Sequence, residues 1–148
     1  MYFPDMGEQC QVGQGPEVRA VGWLDIEHPY TQGTVEPAFL EALQRHVKTA
    51  WAPVVAAGPH FCQFCREKPW GGAYNVWIPS ERYLFIAPEL IVHYITDHGY
   101  RPPDAFIEAV LACPAQHSPE YFEKLRPFRH LTEPSSPSFA SKSKATRQ

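Results

Sequence analysis

The chain has 148 residues, of which 44% are hydrophobic and 20% charged, and its net charge is −3. These proportions are those of one globular domain and exclude a wholly disordered chain. The apolar runs fall far short of the ~20 residues that cross a bilayer, and no basic segment precedes an apolar one at the N-terminus. We therefore expect a cytoplasmic protein with no membrane partner. The 16 prolines predict many short elements rather than a few long helices.

Composition divides the chain into three parts. Residues 1–20 are rich in glycine and show no sustained period, so we expect an irregular N-terminal arm. Residues 21–131 are expected to form a single α+β domain. Residues 132–148 are rich in Ser and Pro and hold one acid and three bases, which predicts a flexible basic tail. The rest of the chain then has a net charge of −5, which suits a phosphate backbone poorly.

Within the domain, hydrophobic periodicity and turn residues predict four helices and a β-hairpin. Pro37 opens an amphipathic helix, Gly99 gives another helix a left-handed end, and Ser118 caps the last one. The predicted helices cover residues 37–50, 88–98, 103–113 and 118–125. The predicted strands cover residues 21–24, 53–57, 73–78 and 82–87, and a short turn joins the last two.

Two pairs of metal-binding residue types carry the chemistry of this sequence. Cys62-x2-Cys65 is followed, after 27 residues, by His93-x4-His98. Thiolate sulfur and imidazole nitrogen are the ligands that Zn²⁺ prefers, and four of them fill a closed tetrahedral site. On an ideal helix the two histidine rings would diverge by about 140°, so they converge only if the helix ends near His98, where Gly99 places its end. The sequence therefore predicts a zinc site with Cys62, Cys65, His93 and His98 as ligands.

Other interpretations of these residues stay open. A CxxC pair can be a redox centre, although residues 66–72 cannot begin the helix that lowers the pKa of a redox thiol. The four residues could also be two core cysteines and two unrelated histidines. His60 could replace His93 or His98 as a ligand, and Asp97 could hold an imidazole N–H.

The remaining Cys and His residues have no partner at ligand spacing. Cys113 ends an apolar helical run, and we expect it to be a small buried hydrophobe. Four histidines are expected on the surface or in loops: His28, His46, His117 and His130.

The order of knuckle, hairpin and helix over residues 62–98 resembles a treble-clef or ββα zinc finger. The resemblance covers 37 of the 148 residues and favours a zinc-bearing fold. The gap of 27 residues between the two pairs departs from the ~12 of a DNA-reading finger, which puts a DNA role in doubt. The run IVHYITDHGYRPPDAFIEAV, with HFCQFC upstream, also looks like a recurring pattern in small uncharacterised bacterial proteins, and this implies no activity.

These residues favour a non-catalytic module in which a structural zinc ion supports recognition of a protein partner. The candidate contacts are of the aromatic and arginine types that anchor interfaces, although core packing is the simpler role for each. They are Trp70, Trp77, Tyr94, Tyr100 and Arg101. Nucleic acid is not an expected partner, because the 88–98 helix has no Lys, Arg, Asn or Gln with which to read bases.

An enzyme remains the alternative function. A zinc hydrolase or deaminase needs an open metal position and a nearby carboxylate base. The acids that could serve are Glu67, Glu89 and Asp97. The H-x-E motif of zinc deaminases and the H-E-x-x-H motif of zinc proteases are both absent, so the sequence favours the structural role.

Overall fold

A three-stranded sheet lies at the centre of the computed structural model, which describes residues 2–53, 60–65 and 71–131. The strands of the described residues are β1 (Gln9–Cys10), β2 (Gly13–Gln14), β3 (Val18–Ala20), β4 (His60–Phe61), β5 (Gly71–Gly72), β6 (Asn75–Pro79) and β7 (Leu84–Pro88). In the central sheet, β7 pairs antiparallel with β6 and parallel with β3. Every residue of β6 and β7 is buried, as expected for strands that are covered on both faces.

The predicted hairpin is confirmed as β6 and β7, displaced by one or two residues from the sequence boundaries. Ser80 closes its turn: the backbone N–H and the hydroxyl of Ser80 both donate to the carbonyl of Tyr83, each at 2.8 Å. In return, the N–H of Tyr83 donates to the Ser80 hydroxyl at 3.1 Å. The turn thus satisfies its own polar groups while both strands are buried.

The four predicted helices are also present, as α1 (Pro37–Lys48), α2 (Ile91–His98), α3 (Asp104–Ala112) and α4 (Pro119–Leu125), with a 3₁₀ turn at Arg126–Leu131. Pro37 occupies the first turn of α1, and the Ser118 hydroxyl accepts the N–H of Tyr121 at the start of α4. α2 begins at Ile91 instead of Pro88, because Pro88 still pairs with Asn75 in the sheet. None of the described helices is long and apolar enough to cross a membrane.

The two faces of the central sheet pack into two apolar cores. On one face, Val76, Ile78 and Phe85 pack against α1, α2 and α3. On the other face, Trp77 and Ile86 pack with apolar side chains of the N-terminal segment, of α4 and of the 3₁₀ turn. Successive strand residues point to opposite faces, so one hairpin supplies both cores. The fold is a mixed α+β architecture, as the sequence predicts.

The N-terminal residues differ from their predicted irregular conformation. Val18 and Ala20 are fully buried in β3, while β1 and β2 form a small antiparallel ribbon. The predicted strand over 21–24 is wrong: these residues are buried without strand pairing, although the N–H of Val21 donates to the carbonyl of Ile86. The predicted strand over 53–57 lies almost wholly outside the described residues, and the predicted tail over 132–148 lies entirely outside them. The division into arm, domain and tail stays a prediction.

Candidate metal centre

Four donor atoms converge beside the first core. The ligand atoms of Cys62, Cys65, His93 and His98 all lie within 4.8 Å of one another. The Nε2 atom of His98 is 3.5 Å from the sulfur of Cys62 and 3.6 Å from that of Cys65, and the Nε2 atom of His93 is 3.3 Å from Cys65. A tetrahedral zinc ion with ordinary bond lengths separates its sulfur and nitrogen ligands by about 3.6 Å. The four side chains therefore lie close enough to bind one metal ion.

The cysteines sit on a knuckle between two very short strands. β4 pairs antiparallel with β5, and Cys62 follows β4 directly. Phe61 lies over Gly71 on the paired strand, where a Cβ atom would come within 2.6 Å of the Phe61 ring, so a larger residue at this position would displace the ring. Gln63 anchors the knuckle to the preceding loop, because its side-chain oxygen accepts the N–H of Ile26 at 3.0 Å.

The Cys62 sulfur is surrounded by groups that act on its pKa in opposite directions. Burial raises the pKa of the Cys62 thiol, whereas the backbone N–H groups of Phe64 and Cys65 donate to the sulfur and act to lower it. The neighbouring Cys65 sulfur also raises the pKa of Cys62, because two thiolates this close together would repel each other. A bound cation would favour both thiolates over this repulsion, since only the deprotonated sulfur is a metal ligand.

The end of α2 brings the two histidines together. His98 is the last residue of the helix, and Gly99 follows in the left-handed conformation at φ 69°. The two imidazole rings have centroids 4.9 Å apart and are nearly perpendicular. Tyr30 holds this end in place, because its hydroxyl donates to the carbonyl of His98 at 2.7 Å. The predicted condition for convergence, a helix that ends at His98, is confirmed.

Asp97 contacts the other ring nitrogen of His93. Its Oδ2 atom lies 3.5 Å from His93 Nδ1, on the side opposite the cysteines. Burial lowers the pKa of His93, and the Asp97 carboxylate acts in the opposite direction. Neutral imidazole is the form that binds a metal ion, and a carboxylate at Nδ1 favours the tautomer with Nε2 free to bind. The sequence pointed to Asp97 as a partner for an imidazole, and the structure identifies that imidazole as His93.

Aromatic side chains cover the knuckle from the side of the first core. The Phe64 ring lies 5.2 Å from the His98 ring and 6.0 Å from that of Tyr94, and Tyr30 packs edge-on against Phe64 at 5.3 Å. Cys62 and His93 are buried, while Cys65 is half-buried. Such an apolar surround limits access of water to a bound ion. Phe64 and Tyr30 are the positioning residues that the sequence did not single out.

The other candidate residues lie apart from this cluster. Among the described residues, no second group of three or more Cys, His, Asp or Glu side chains converges in this way. The backbone of His60 belongs to β4, but its side chain lies outside what the structure describes. Cys113 is half-buried between the two cores rather than fully buried.

The surface position expected for His46 is wrong. It lies in α1, where its side chain is only 7% exposed, and its Nδ1 atom is 3.2 Å from the side-chain nitrogen of Gln116. His28 pairs with Asp25 and His130 with Glu17, both at the surface.

Three of the five candidate interface residues are core residues. Trp77, Tyr94 and Tyr100 are completely buried, which agrees with the simpler role that the sequence suggested. Arg101 forms an ion pair with Asp104 at 2.9 Å. Trp70 lies outside the described residues.

Fold and site together define a small α+β protein with a Cys₂His₂ cluster that is able to hold a metal ion. The chain belongs to a family described as a domain of unknown function (DUF7919), whose model matches residues 1–111. No curated protein and no solved structure matches it. The matched region contains all four cluster residues, and it ends one residue before the end of α3.

Proposed function

We propose that Cys62, Cys65, His93 and His98 bind one Zn²⁺ ion and that the ion has a structural role. The donor set of two sulfurs and two imidazole nitrogens suits zinc, which accepts both ligand types in tetrahedral geometry. The observation that carries the proposal is the set of three sulfur–nitrogen distances, 3.3, 3.5 and 3.6 Å, which match the edges of such a tetrahedron. The backbone N–H groups of Phe64 and Cys65, which donate hydrogen bonds to the Cys62 sulfur, support the same assignment.

A structural role follows from the number of protein ligands. Four side chains complete the tetrahedral shell and leave no position for a reactive water molecule. Structural zinc sites in finger peptides have apparent binding free energies of ~10–16 kcal/mol, comparable to the whole stability of a typical domain. The ion would connect the knuckle after β4 to the end of α2. The order of knuckle, hairpin and helix supports the resemblance to treble-clef fingers, which we retain as part of this proposal.

We further propose that the module binds a protein in the cytoplasm. Three large apolar side chains are exposed: Phe61 in β4 is 52% exposed, Ile26 59%, and Tyr74, two residues after β5, 58%. Ile26 contacts the knuckle through Gln63, and Phe61 precedes Cys62 directly. Large exposed apolar side chains favour a protein partner over nucleic acid. Cysteines bind a metal ion only in the reduced form, which suits a reducing compartment.

A zinc-dependent hydrolase or deaminase-like activity is the second candidate, and one observation favours it. A cleft of about 280 Å³ beside α2 is lined by His93, Asp97 and Glu89 among others. If one histidine were released from the metal, the cleft could admit a substrate, and Asp97 or Glu89 in its lining could supply a carboxylate base. The complete set of four donors argues against this arrangement.

X-ray absorption at the zinc edge separates the two candidates. Protein purified without chelator should contain one zinc ion per chain, with two sulfur and two nitrogen scatterers. A shell in which oxygen replaces one nitrogen would instead support the open site of an enzyme. Less than about half an equivalent of zinc, with no other metal in its place, would overturn the metal assignment altogether.

A further inference from the structure

A second cavity, which contains none of the four cluster residues, has a combination of aromatic and acidic lining residues. It has a volume of about 360 Å³, within the range of small-ligand pockets. Its lining residues include Tyr2, Phe3 and Tyr30, which carry aromatic rings, and Asp5, which carries a carboxylate. Among the described residues, no Lys, Arg or His lines this cavity. The described lining therefore presents aromatic residues and an acidic residue to a ligand. It contains no cationic residue that would compete with a positively charged ligand.

The Asp5 carboxylate is held by neutral donors. The backbone N–H of Gly22 donates to its Oδ1 atom at 2.9 Å, and the Tyr100 hydroxyl donates to its Oδ2 atom at 2.8 Å. These bonds fix the carboxylate but add no positive charge to balance it. Burial raises the pKa of Asp5, so the ionised form is disfavoured where it stands. A cation in the cavity would remove that disadvantage.

The aromatic rings are held in place by neighbouring residues. Tyr2 stacks on the His28 ring at 3.8 Å, and that imidazole is itself bonded to Asp25. Phe3 packs edge-on against Trp23 at 5.9 Å. Tyr30 is fixed at its hydroxyl by the carbonyl at the end of α2. Rings that are already ordered lose little conformational entropy when a ligand binds.

We propose that this cavity binds a methylated ammonium group. Aromatic faces attract cations through the ring quadrupole, and cages of aromatic residues are a recurring solution for quaternary ammonium ligands. Such a group donates no hydrogen bond, which suits a carboxylate whose two oxygens are already engaged by the protein. An anionic ligand would face the Asp5 charge without a balancing cation. The group could belong to a free choline-like molecule or to a methylated lysine side chain, which share this chemistry.

Calorimetric titration of the full-length, metal-loaded protein tests the proposal. Choline should bind at least about tenfold more tightly than neohexyl alcohol, its uncharged analogue in which a tert-butyl group replaces the trimethylammonium group. Trimethyl-lysine and unmodified lysine form a second pair of probes, in which tighter binding of trimethyl-lysine than of choline would identify a lysine side chain as the source. Equal binding of choline and neohexyl alcohol, or no saturation by choline in the millimolar range, would overturn the proposal.

A matched pair of variants locates the binding. Tyr2→Leu removes one ring but keeps an apolar side chain, and it should weaken choline binding by about three- to thirtyfold. Phe122→Leu makes a comparable change at an exposed aromatic residue of α4 that does not line the cavity, and it should leave the affinity unchanged. Equal affinities of the two variants for choline would refute the assignment to this cavity. Because the metal cluster is untouched, zinc content should be the same in both, and failure here leaves the zinc proposal standing.

Discussion

Replacing Cys65 by serine is the most direct perturbation of the proposed zinc site. The Cys65 sulfur lies 3.3 Å from Nε2 of His93 and 3.6 Å from Nε2 of His98, so it contacts both histidine donors. A serine hydroxyl stays protonated at neutral pH and is a poor replacement for a thiolate. The variant keeps three ligands and should lose most of its zinc when free zinc is scarce. The fold should survive, since both apolar cores are formed largely by other side chains.

The expected loss of stability can be worked out from binding linkage. A nanomolar dissociation constant corresponds to about 12 kcal/mol, within the range of structural zinc sites. At free zinc about a thousandfold above that constant, binding to the folded state stabilises it by about 4 kcal/mol. For a chain of this size each kcal/mol shifts the midpoint of thermal unfolding by roughly 2–4 °C. Cys65→Ser should therefore unfold about 8–16 °C below the wild type.

Cys113→Ser is the matched control, because it makes the same chemical change away from the cluster. Cys113 lies between the two cores and does not belong to the cluster, and burial raises the pKa of its thiol to about 12. Elemental analysis and thermal unfolding followed by circular dichroism measure both effects. The control should keep a full equivalent of zinc. Equal zinc content in the two serine variants would refute the ligand assignment.

Two further predictions concern groups around the helices. Asp97→Asn should weaken zinc binding by about 10–100-fold by competition with a chelating dye, because the carboxylate at His93 Nδ1 is lost. Asp104→Asn makes the same change on α3 and is the control. Equal zinc affinities of the two variants would show that Asp97 does not orient His93. Burial lowers the pKa of His46, so its imidazole binds a proton more tightly in the unfolded chain than in the folded protein. The free energy of unfolding should therefore fall as the pH drops below about 6.5. Denaturant titrations of His46→Gln should show a shallower loss between about pH 7 and 5, and identical slopes would contradict this reasoning.

The cluster could be predicted from sequence because its geometry is determined over short distances along the chain. Two residues between cysteines make a tight knuckle, and Gly99 ends α2 at the second histidine. The starts of α1 and α4 could also be predicted from local sequence, since Pro37 and Ser118 stabilise the first turn of the helix in which they occur. The β6–β7 hairpin lies between the two pairs along the chain, and alternation of apolar residues also indicates it.

Long-range pairing is the part of the fold that the sequence did not reveal. β3 pairs in parallel with β7, so that Val18 lies beside Leu84, and a three-residue segment gives no periodic signal of its own. The pairing of β4 with β5 is equally hidden, because two glycines are usually signs of a turn. The burial of His46 depends on Gln116, far along the chain, and no local pattern reports such a partner.

The position of the cluster suggests which part of the molecule would depend on zinc. β4 and β5 have two residues each, and a ribbon of that size is not stable by itself in water. The described contacts between the knuckle and the rest of the protein include one hydrogen bond, from Ile26 to Gln63, and the packing of Phe64. The central sheet, in contrast, is enclosed by two cores. We therefore expect zinc to order the knuckle and its exposed apolar side chains first, which would make the proposed protein-binding surface conditional on the metal.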